Sequence, residues 1–115
     1  HSPVVCASGA VDHLVGSHQR QQVLVRIFGG SPLQPRVTAT GCALGALLAA
    51  YQSVAEPLVA AVAAHASFAI AGALAAQRHT APGSFAMGFI DELYRLEEAS
   101  FRERMQLEIT ALETA

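Results

Sequence analysis

The sequence predicts an α/β fold in which short strands precede three helices. Before about residue 40 the apolar segments are short, rich in β-branched residues and separated by turn residues. After residue 40, apolar residues recur at helical spacing in an alanine-rich context. The chain has 115 residues, of which 52% are hydrophobic and 14% are charged. This composition suits one domain with a single core, and it excludes a disordered or nucleic-acid-binding tail.

Strands are expected within residues 3–28. The apolar run at residues 4–6 is typical of a short buried strand. Residues 11–15 and 22–28 are a second and a third candidate, joined by a turn that starts at Gly16 and a polar loop around residues 18–21. In the third candidate, alternate apolar side chains are expected to share one face: Val23, Val25 and Ile27. Glycines and prolines at residues 29–35 then end the strand region.

Helices are expected over residues 41–52, 57–77 and 84–112. Pro57 suits the first turn of the second helix, and Ser84 is the candidate N-cap of the third. The third carries two apolar stripes at helical spacing, the second slipped by one residue: Phe85, Phe89, Leu93 and Leu96, then Phe101, Met105, Ile109 and Leu112. The acidic residues from Asp91 to Glu113 are expected to form a solvated face.

The second predicted helix allows two hypotheses about its surroundings. Residues 58–76 carry no charge and approach the ~20 residues that span a bilayer. One hypothesis is therefore a membrane-anchored helical module. The segment is rich in alanine, however, and has His65 and Ser67 in its middle, which favours a helix packed between a sheet and other helices. There His65 is expected to be a packed or hydrogen-bonded interior residue.

The charge, the cysteines and the histidines argue against nucleic-acid binding, a disulfide framework and a metal site. The formal net charge is -2, and there is no basic patch that would bind nucleic acid. Cys6 and Cys42 are too few for a disulfide framework and are expected to be free thiols. His13 and His18 have no evident third ligand, which favours solvated histidines over a metal site. The first residues lack a signal-peptide pattern, and the start at His1 suggests part of a longer protein.

A stretch of small residues, at 37–46, leads into the first predicted helix. Small side chains leave backbone N–H groups accessible, and a helix N-terminus presents unpaired donors with partial positive charge, which suits an anion. Thr40 is a candidate cap, and the same field favours the thiolate of Cys42. Taken alone, the stretch fits a capped helix with an inert buried cysteine better than it fits a phosphoryl-transfer site.

Four motifs, taken together and in this order, resemble those of the hydroxyethylthiazole kinases. The stretch VTATGCALGALLAA at 37–50 is similar to the family's Gly-Thr-Gly-Cys-Ala-Leu signature. ASGAVD at 7–12 resembles its Thr-Gly-x-x-Asp segment, and GGSPL at 29–33 its Gly-Gly-Asp-Pro-Leu. APGSF at 81–85, with FIDEL at 89–93, resembles its Gly-Pro-Gly-Ser-Phe and the following helix. The resemblance covers residues 4 to about 96 and leaves the tail after Leu96 without an explanation.

This resemblance implies the C-terminal portion of a ribokinase-like α/β fold, with residues 1–115 as a single partial domain. It implies that the complete kinase uses ATP and Mg²⁺ to phosphorylate the hydroxyl of 4-methyl-5-(2-hydroxyethyl)thiazole in thiamine biosynthesis or salvage. A catalytically inactive kinase fragment, or a subunit that requires a separate N-terminal half, is the alternative. For the complete enzyme the resemblance implies a cytoplasmic homotrimer with no nucleic-acid or membrane partner.

The resemblance also implies roles for individual residues. The amides of Ala39, Thr40 and Gly41 correspond to the anion hole for the transferred phosphate, and Ala39 also matches a residue whose backbone meets the thiazole alcohol. Cys42 stands where most ribokinase-like enzymes place an aspartate base. Ser8 matches a threonine that contacts ATP, and its hydroxyl is retained.

Asp12 matches the acidic residue of the Thr-Gly-x-x-Asp segment. An aspartate at this position is expected to shape the turn, because its carboxylate can accept hydrogen bonds from nearby backbone N–H groups. No residue is assigned to a metal.

Overall fold

In the described part of the chain, a four-stranded antiparallel sheet packs on a long helix, which two shorter helices follow in the sequence. This computed structural model describes residues 4–33, 47 and 50–112. The strands are β1 (Val5–Ala7), β2 (Asp12–His18), β3 (Gln21–Phe28) and β4 (Gln106–Ala111), and the helices are α1 (Pro57–Ala76), α2 (Pro82–Arg95) and α3 (Glu98–Arg104). Leu47 and residues 50–52 are helical, and the rest of the first predicted helix lies outside the described residues. The α/β class and the strands within residues 3–28 are confirmed. The prediction that the first strand is buried is wrong, because β1 lies at one edge of the sheet and all three of its residues are exposed.

The sheet has the order β1-β2-β3-β4, and each strand is antiparallel to the next. In this register Leu14 lies opposite Val25 and Gly16 opposite Val23. Alternate residues of β2 and β3 therefore face α1, as the two-residue period of a strand requires. The predicted face of β3 is confirmed, because Val23, Val25 and Ile27 are all buried.

The turn between β2 and β3 is not where the sequence suggested. Strand β2 continues through Gly16 to His18, so the prediction of a turn starting at Gly16 is wrong. A side chain at Gly16 would come within 3.2 Å of Leu58 Cδ1, so this glycine allows α1 to approach the sheet closely. The turn residues are Gln19 and Arg20, both at positive φ, 50° and 66°.

Helix α1 is the centre of the molecule. The predicted helix over 57–77 is confirmed, with Pro57 in the first turn. Leu58 and Ala61 pack against the sheet, whereas Phe68 and Ala71 pack against α2. The helix is long and apolar enough to cross a membrane, but 67% of its most apolar window is buried inside the protein. A helix covered on two faces needs apolar residues over much of its circumference, and the prediction of a packed helix is confirmed.

Helix α2 begins at Pro82, with Ala81 at the N-cap position. The prediction of Ser84 as N-cap is therefore wrong: proline is preorganised for the first helical turn, and the Ser84 hydroxyl donates to the Ala81 carbonyl at 3.4 Å. The first apolar stripe is confirmed where it packs on α1. The rings of Phe68 and Phe89 meet edge-on at 5.0 Å between centroids, and Phe85 stacks on Phe89 at 5.8 Å.

The prediction of one helix over residues 84–112 is wrong beyond Arg95. Helix α2 ends there, and α3 follows after a break at Leu96 and Glu97. The Glu97 carboxylate accepts the N–H of Ser100, while the Ser100 hydroxyl accepts the N–H of Glu97 at 3.1 Å. This reciprocal capping box starts a new helix and satisfies N–H groups that a continuous helix would have used internally.

The tail ends as a strand rather than a helix. Strand β4 pairs with β3, and places Leu107 opposite Ile27 and Glu108 opposite Arg26. The Arg26 guanidinium and the Glu108 carboxylate are 2.6 Å apart. Apolar and polar residues alternate over 106–111, which is the pattern of a strand. The same sequence also fits the second helical stripe predicted above, which included Ile109. Pairing with β3 selects the strand.

Candidate functional site

The loop between β1 and β2, residues 8–11, carries the described residue that the sequence assigned to ATP. Ser8 lies directly after β1 and is exposed. The next residue, Gly9, donates its backbone N–H to Asp12 Oδ1 at 3.0 Å. The prediction that Asp12 shapes this turn is confirmed. The Ser8 hydroxyl is thus presented to solvent beside a backbone position that the Asp12 carboxylate holds.

The second oxygen of Asp12 meets a histidine from α1. His65 Nδ1 lies 2.9 Å from Asp12 Oδ2, and the ring nitrogen is the donor because an ionised carboxylate has no proton to give. The side chain of His65 is 4% exposed and that of Asp12 is 19% exposed. The expected hydrogen-bonded interior histidine is confirmed. One carboxylate therefore joins the central helix to the loop that carries Ser8.

Ser67, the other polar residue in the middle of α1, connects that helix to residues just before it. The Ser67 hydroxyl is fully buried and donates to the Ala63 carbonyl at 2.7 Å. The Tyr51 hydroxyl lies 3.2 Å from Ser67 Oγ, and it is the donor because the serine proton is already committed. Tyr51 belongs to the last part of the helix predicted over 41–52, so α1 is also tied to the segment that follows Cys42.

Sequence reasoning missed both long-range partnerships of α1. The available signal was the presence of His65 and Ser67 in an otherwise apolar segment, because a buried polar side chain needs a hydrogen-bond partner. That signal indicates that a partner exists, but the chain separation of 53 residues between Asp12 and His65 hides which residue it is.

The proposed anion hole and base are not among the residues whose positions the structure gives. Ala39, Thr40, Gly41 and Cys42 all lie outside the described residues. Their roles, implied by resemblance, therefore stay predictions. Of the sequence-predicted site residues, Ser8 alone lies in the described part of the chain.

The remaining histidines near the sheet make local contacts. His13 Nδ1 donates to the Val11 carbonyl at 3.1 Å. His18 Nδ1 lies 2.6 Å from Glu56 Oε1, and both side chains are nearly half exposed. Within residues 4–33, 47 and 50–112, no three His, Cys, Asp or Glu side chains are grouped so that they could hold a metal ion.

Cys6 lies in β1, two residues before Ser8, and is a free thiol in an exposed residue. Partial burial of the sulfur, and secondly the negative charge of Asp12, raise the pKa of the Cys6 thiol. A thiol with a raised pKa stays protonated at neutral pH and is a poor nucleophile. Cys6 therefore does not supply a reactive group next to the Ser8 loop.

A cavity of about 230 Å³ opens at the end of β3, against α1 and α3. Its walls are formed by Phe28, Gly29, Ala69, Ile70, Ala73, Glu103, Arg104 and Gln106. Ser8, Asp12 and His65 do not line it. This cavity is thus separate from the Ser8 loop and adds no residue to the candidate site.

Comparison with known protein families shows the family to which this chain belongs. Residues 1–99 match the family model described as "Hydroxyethylthiazole kinase family". The chain belongs to the hydroxyethylthiazole kinase family. The resemblance inferred from the four motifs is confirmed, and the Ser8 loop, α1 and α2 all lie within the matched region.

Individual relatives agree with this assignment. A hydroxyethylthiazole kinase of Acinetobacter baumannii (strain ACICU) is 46% identical over 98 residues, which cover 85% of this chain and 35% of the relative. One from Rhodococcus erythropolis is 44% identical over 110 residues, covering 94% of this chain and 39% of the relative. The solved hydroxyethylthiazole kinase structure from Pyrococcus horikoshii OT3 has a TM-score of 0.83 and 36% identity, covering 93% of this chain and 41% of that one.

These coverages carry two further facts. The chain spans between a third and about two fifths of the length of these relatives. An alignment over 94% of 115 residues also has to extend past Leu96. The family model ends at residue 99, close to the limit of about Leu96 inferred from the motifs, whereas the alignment with the Rhodococcus relative also includes α3.

Proposed function

We propose that this chain supplies the phosphate-binding part of a kinase that uses ATP to phosphorylate the hydroxyl of 4-methyl-5-(2-hydroxyethyl)thiazole, in thiamine biosynthesis or salvage. The observation that carries the proposal is the family match over residues 1–99. The loop at residues 8–11 supports the proposal. Ser8 is exposed there, and the hydrogen bond from Gly9 to Asp12 constrains the backbone beside it, which suits a contact with a nucleotide.

The chemistry proposed for the site divides among a few groups. Ser8 contacts ATP, and the amides of Ala39, Thr40 and Gly41 bind the phosphoryl group during transfer. Cys42 accepts or orients the proton of the substrate hydroxyl, and the backbone of Ala39 meets the thiazole alcohol. Phosphoryl transfer proceeds through a loose transition state, so aligned donors contribute more than the base.

ATP is the proposed phosphoryl donor, and Mg²⁺ would offset negative charge on its phosphates. The described part of the chain offers no group of side chains for a metal ion, so we assign no residue to Mg²⁺ and derive no step through it. We further propose that the complete enzyme is a cytoplasmic homotrimer without a nucleic-acid or membrane partner, in which this chain forms one partial domain, the C-terminal half of the kinase.

A second candidate function rests on the length of the chain. Because it spans only 35% to 41% of the relatives above, it would act as a subunit that requires a separate N-terminal half, or as an inactive kinase fragment. In that case the chain binds nucleotide without completing the phosphoryl transfer.

Two measurements on the purified chain test these candidates. Calorimetric titration with MgATP measures nucleotide binding, and ADP release in the presence of the thiazole alcohol measures turnover. Measurable turnover by the chain alone excludes the fragment and the two-part subunit. Binding without turnover supports the second candidate, whereas the absence of MgATP binding contradicts the proposed function.

A further inference from the structure

Asp12 divides its two carboxylate oxygens between a loop and a helix. Oδ1 accepts the N–H of Gly9 at 3.0 Å, and Oδ2 accepts the Nδ1–H of His65 at 2.9 Å. Residues 8–10 are exposed, whereas His65 lies in a helix that is buried between the sheet and α2. The Asp12 carboxylate therefore holds the exposed loop in a fixed position relative to the buried helix.

We propose that His65 is a positioning residue for the nucleotide: through Asp12 it fixes the Gly9 amide and, with it, the direction of the neighbouring Ser8 hydroxyl. This inference rests on the proposed function, because it takes Ser8 to be the ATP contact. His65 itself touches neither ATP nor substrate. The ligand of the loop is a nucleoside triphosphate, and His65 affects its affinity only by holding Asp12.

Burial and chemistry both favour this role over simple core filling. The residues on either side of His65 are alanines, so an apolar side chain would suit this stretch of α1 and need no partner. Burying a polar side chain costs desolvation, which a hydrogen bond only about offsets, so the pair is weak evidence for stability. The Asp12 side chain is 19% exposed, so without His65 its carboxylate can turn toward water and release Gly9. His65 fixes the orientation of the Asp12 carboxylate, which a hydrogen bond to water would not do.

Three substitutions separate positioning from a general loss of stability. His65→Leu keeps the bulk and removes the donor to Asp12. His65→Asn restores a donor, because its Nδ2–H occupies about the place of Nδ1–H. Ala71→Gly is the matched control: it weakens the same helix at a fully buried site that packs on α2 rather than on Asp12.

The readouts are amide hydrogen exchange at Gly9, followed by NMR without nucleotide, and the Kd for MgATP. In His65→Leu we expect the Gly9 amide to exchange about 10-fold faster and the Kd for MgATP to rise about 5- to 10-fold, as for the loss of one net hydrogen bond. In Ala71→Gly the Gly9 exchange rate and the Kd for MgATP should stay close to those of the unsubstituted chain. In His65→Asn the two values should return most of the way to those of the unsubstituted chain.

The outcomes distinguish this inference from the proposed function. Equal Gly9 exchange in His65→Leu and Ala71→Gly would overturn the coupling, and so would an unchanged Kd in His65→Leu, although nucleotide binding itself would stand. If the unsubstituted chain binds no MgATP, the proposed function fails, and the assignment of this loop to nucleotide fails with it. Faster Gly9 exchange together with weaker MgATP binding, both recovered by His65→Asn, supports the inference.

Discussion

At the scale of single residues, Asp12 shows how far a sequence pattern reaches. Its match to the Thr-Gly-x-x-Asp segment predicts that it shapes a turn, and in the structure the hydrogen bond that does so joins residues only three apart. The interior, hydrogen-bonded state of His65 also follows from its apolar neighbours. That these two residues meet does not follow, because 53 residues separate them and the contact depends on how α1 lies on the sheet.

Cys42 is the residue whose proposed role is most directly tested by substitution. In the preparation that phosphorylates the thiazole alcohol, we expect Cys42→Ala to lower kcat about 10²-fold, at the low end for a general base because the transition state is loose. The Kd for MgATP should stay nearly unchanged, because the nucleotide is held by other groups. Steady-state kinetics and calorimetry measure the two quantities.

Cys6→Ala is the matched control for that substitution. Cys6 is the other cysteine of the chain, and its raised pKa keeps it protonated, so kcat should not change. An equal loss of turnover and MgATP affinity in Cys42→Ala would contradict the role assigned to Cys42.

At the scale of elements, two glycines in α2 behave differently because of their neighbours. A Cβ at Gly88 would overlap the ring of His79, whereas a Cβ at Gly83 would meet nothing within 4 Å. We expect Gly88→Ala to lower the free energy of unfolding by about 1–3 kcal/mol through overpacking. Gly83→Ala should be neutral or stabilise by up to about 1 kcal/mol, because alanine favours helix. Urea denaturation checks both, and similar values for the two variants would refute the packing argument.

The hairpin between β2 and β3 contains backbone strain that the sequence does not relieve. Gln19 and Arg20 both have positive φ, as in a type I′ turn, which favours Asn-Gly. The double substitution Gln19→Asn and Arg20→Gly should raise the free energy of unfolding by about 1 kcal/mol. Two residues in the left-handed region cost roughly 1–2 kcal/mol each, asparagine relieves only part of its share, and the backbone entropy of the new glycine offsets roughly 0.5–1 kcal/mol of the gain. Thermal unfolding is the measurement.

A glycine in the neighbouring strand is the control for this hairpin. Gln22→Gly places the added flexibility at an exposed position of β3 with extended backbone, so it should lower stability by about 0.5–1 kcal/mol. A loss of stability in the turn variant as well would show that its two residues are not strained.

At the scale of the whole molecule, α1 organises two clusters. The sheet residues, including Leu14 and Val25, pack on one face of it, and Phe85 and Phe89 of α2 pack on a second face that includes Phe68. This double coverage explains why a helix with the length and hydropathy of a membrane span is instead a core helix here.

That arrangement predicts how the chain fractionates. After cell lysis without detergent, the chain should stay in the supernatant when membranes are pelleted, because the apolar surface of α1 is already covered by β2, β3 and α2. Immunoblotting of both fractions is the measurement. Recovery in the membrane pellet, with release only by detergent, would favour the membrane-anchored hypothesis.

The sequence by itself determined the local features of this protein: the α/β class, the extent of α1, the inward face of β3 and the family to which the motifs belong. These depend on periodicity, proline and short motifs, which act within a few residues. The tertiary structure decided the rest. Residues 106–111 form a strand because β3 offers hydrogen-bond partners, Gly16 lies within a strand because it pairs with Val23 of β3, and Asp12 meets His65 because the sheet packs on that helix. Each of these outcomes depends on a neighbour distant along the chain, which a local pattern does not identify.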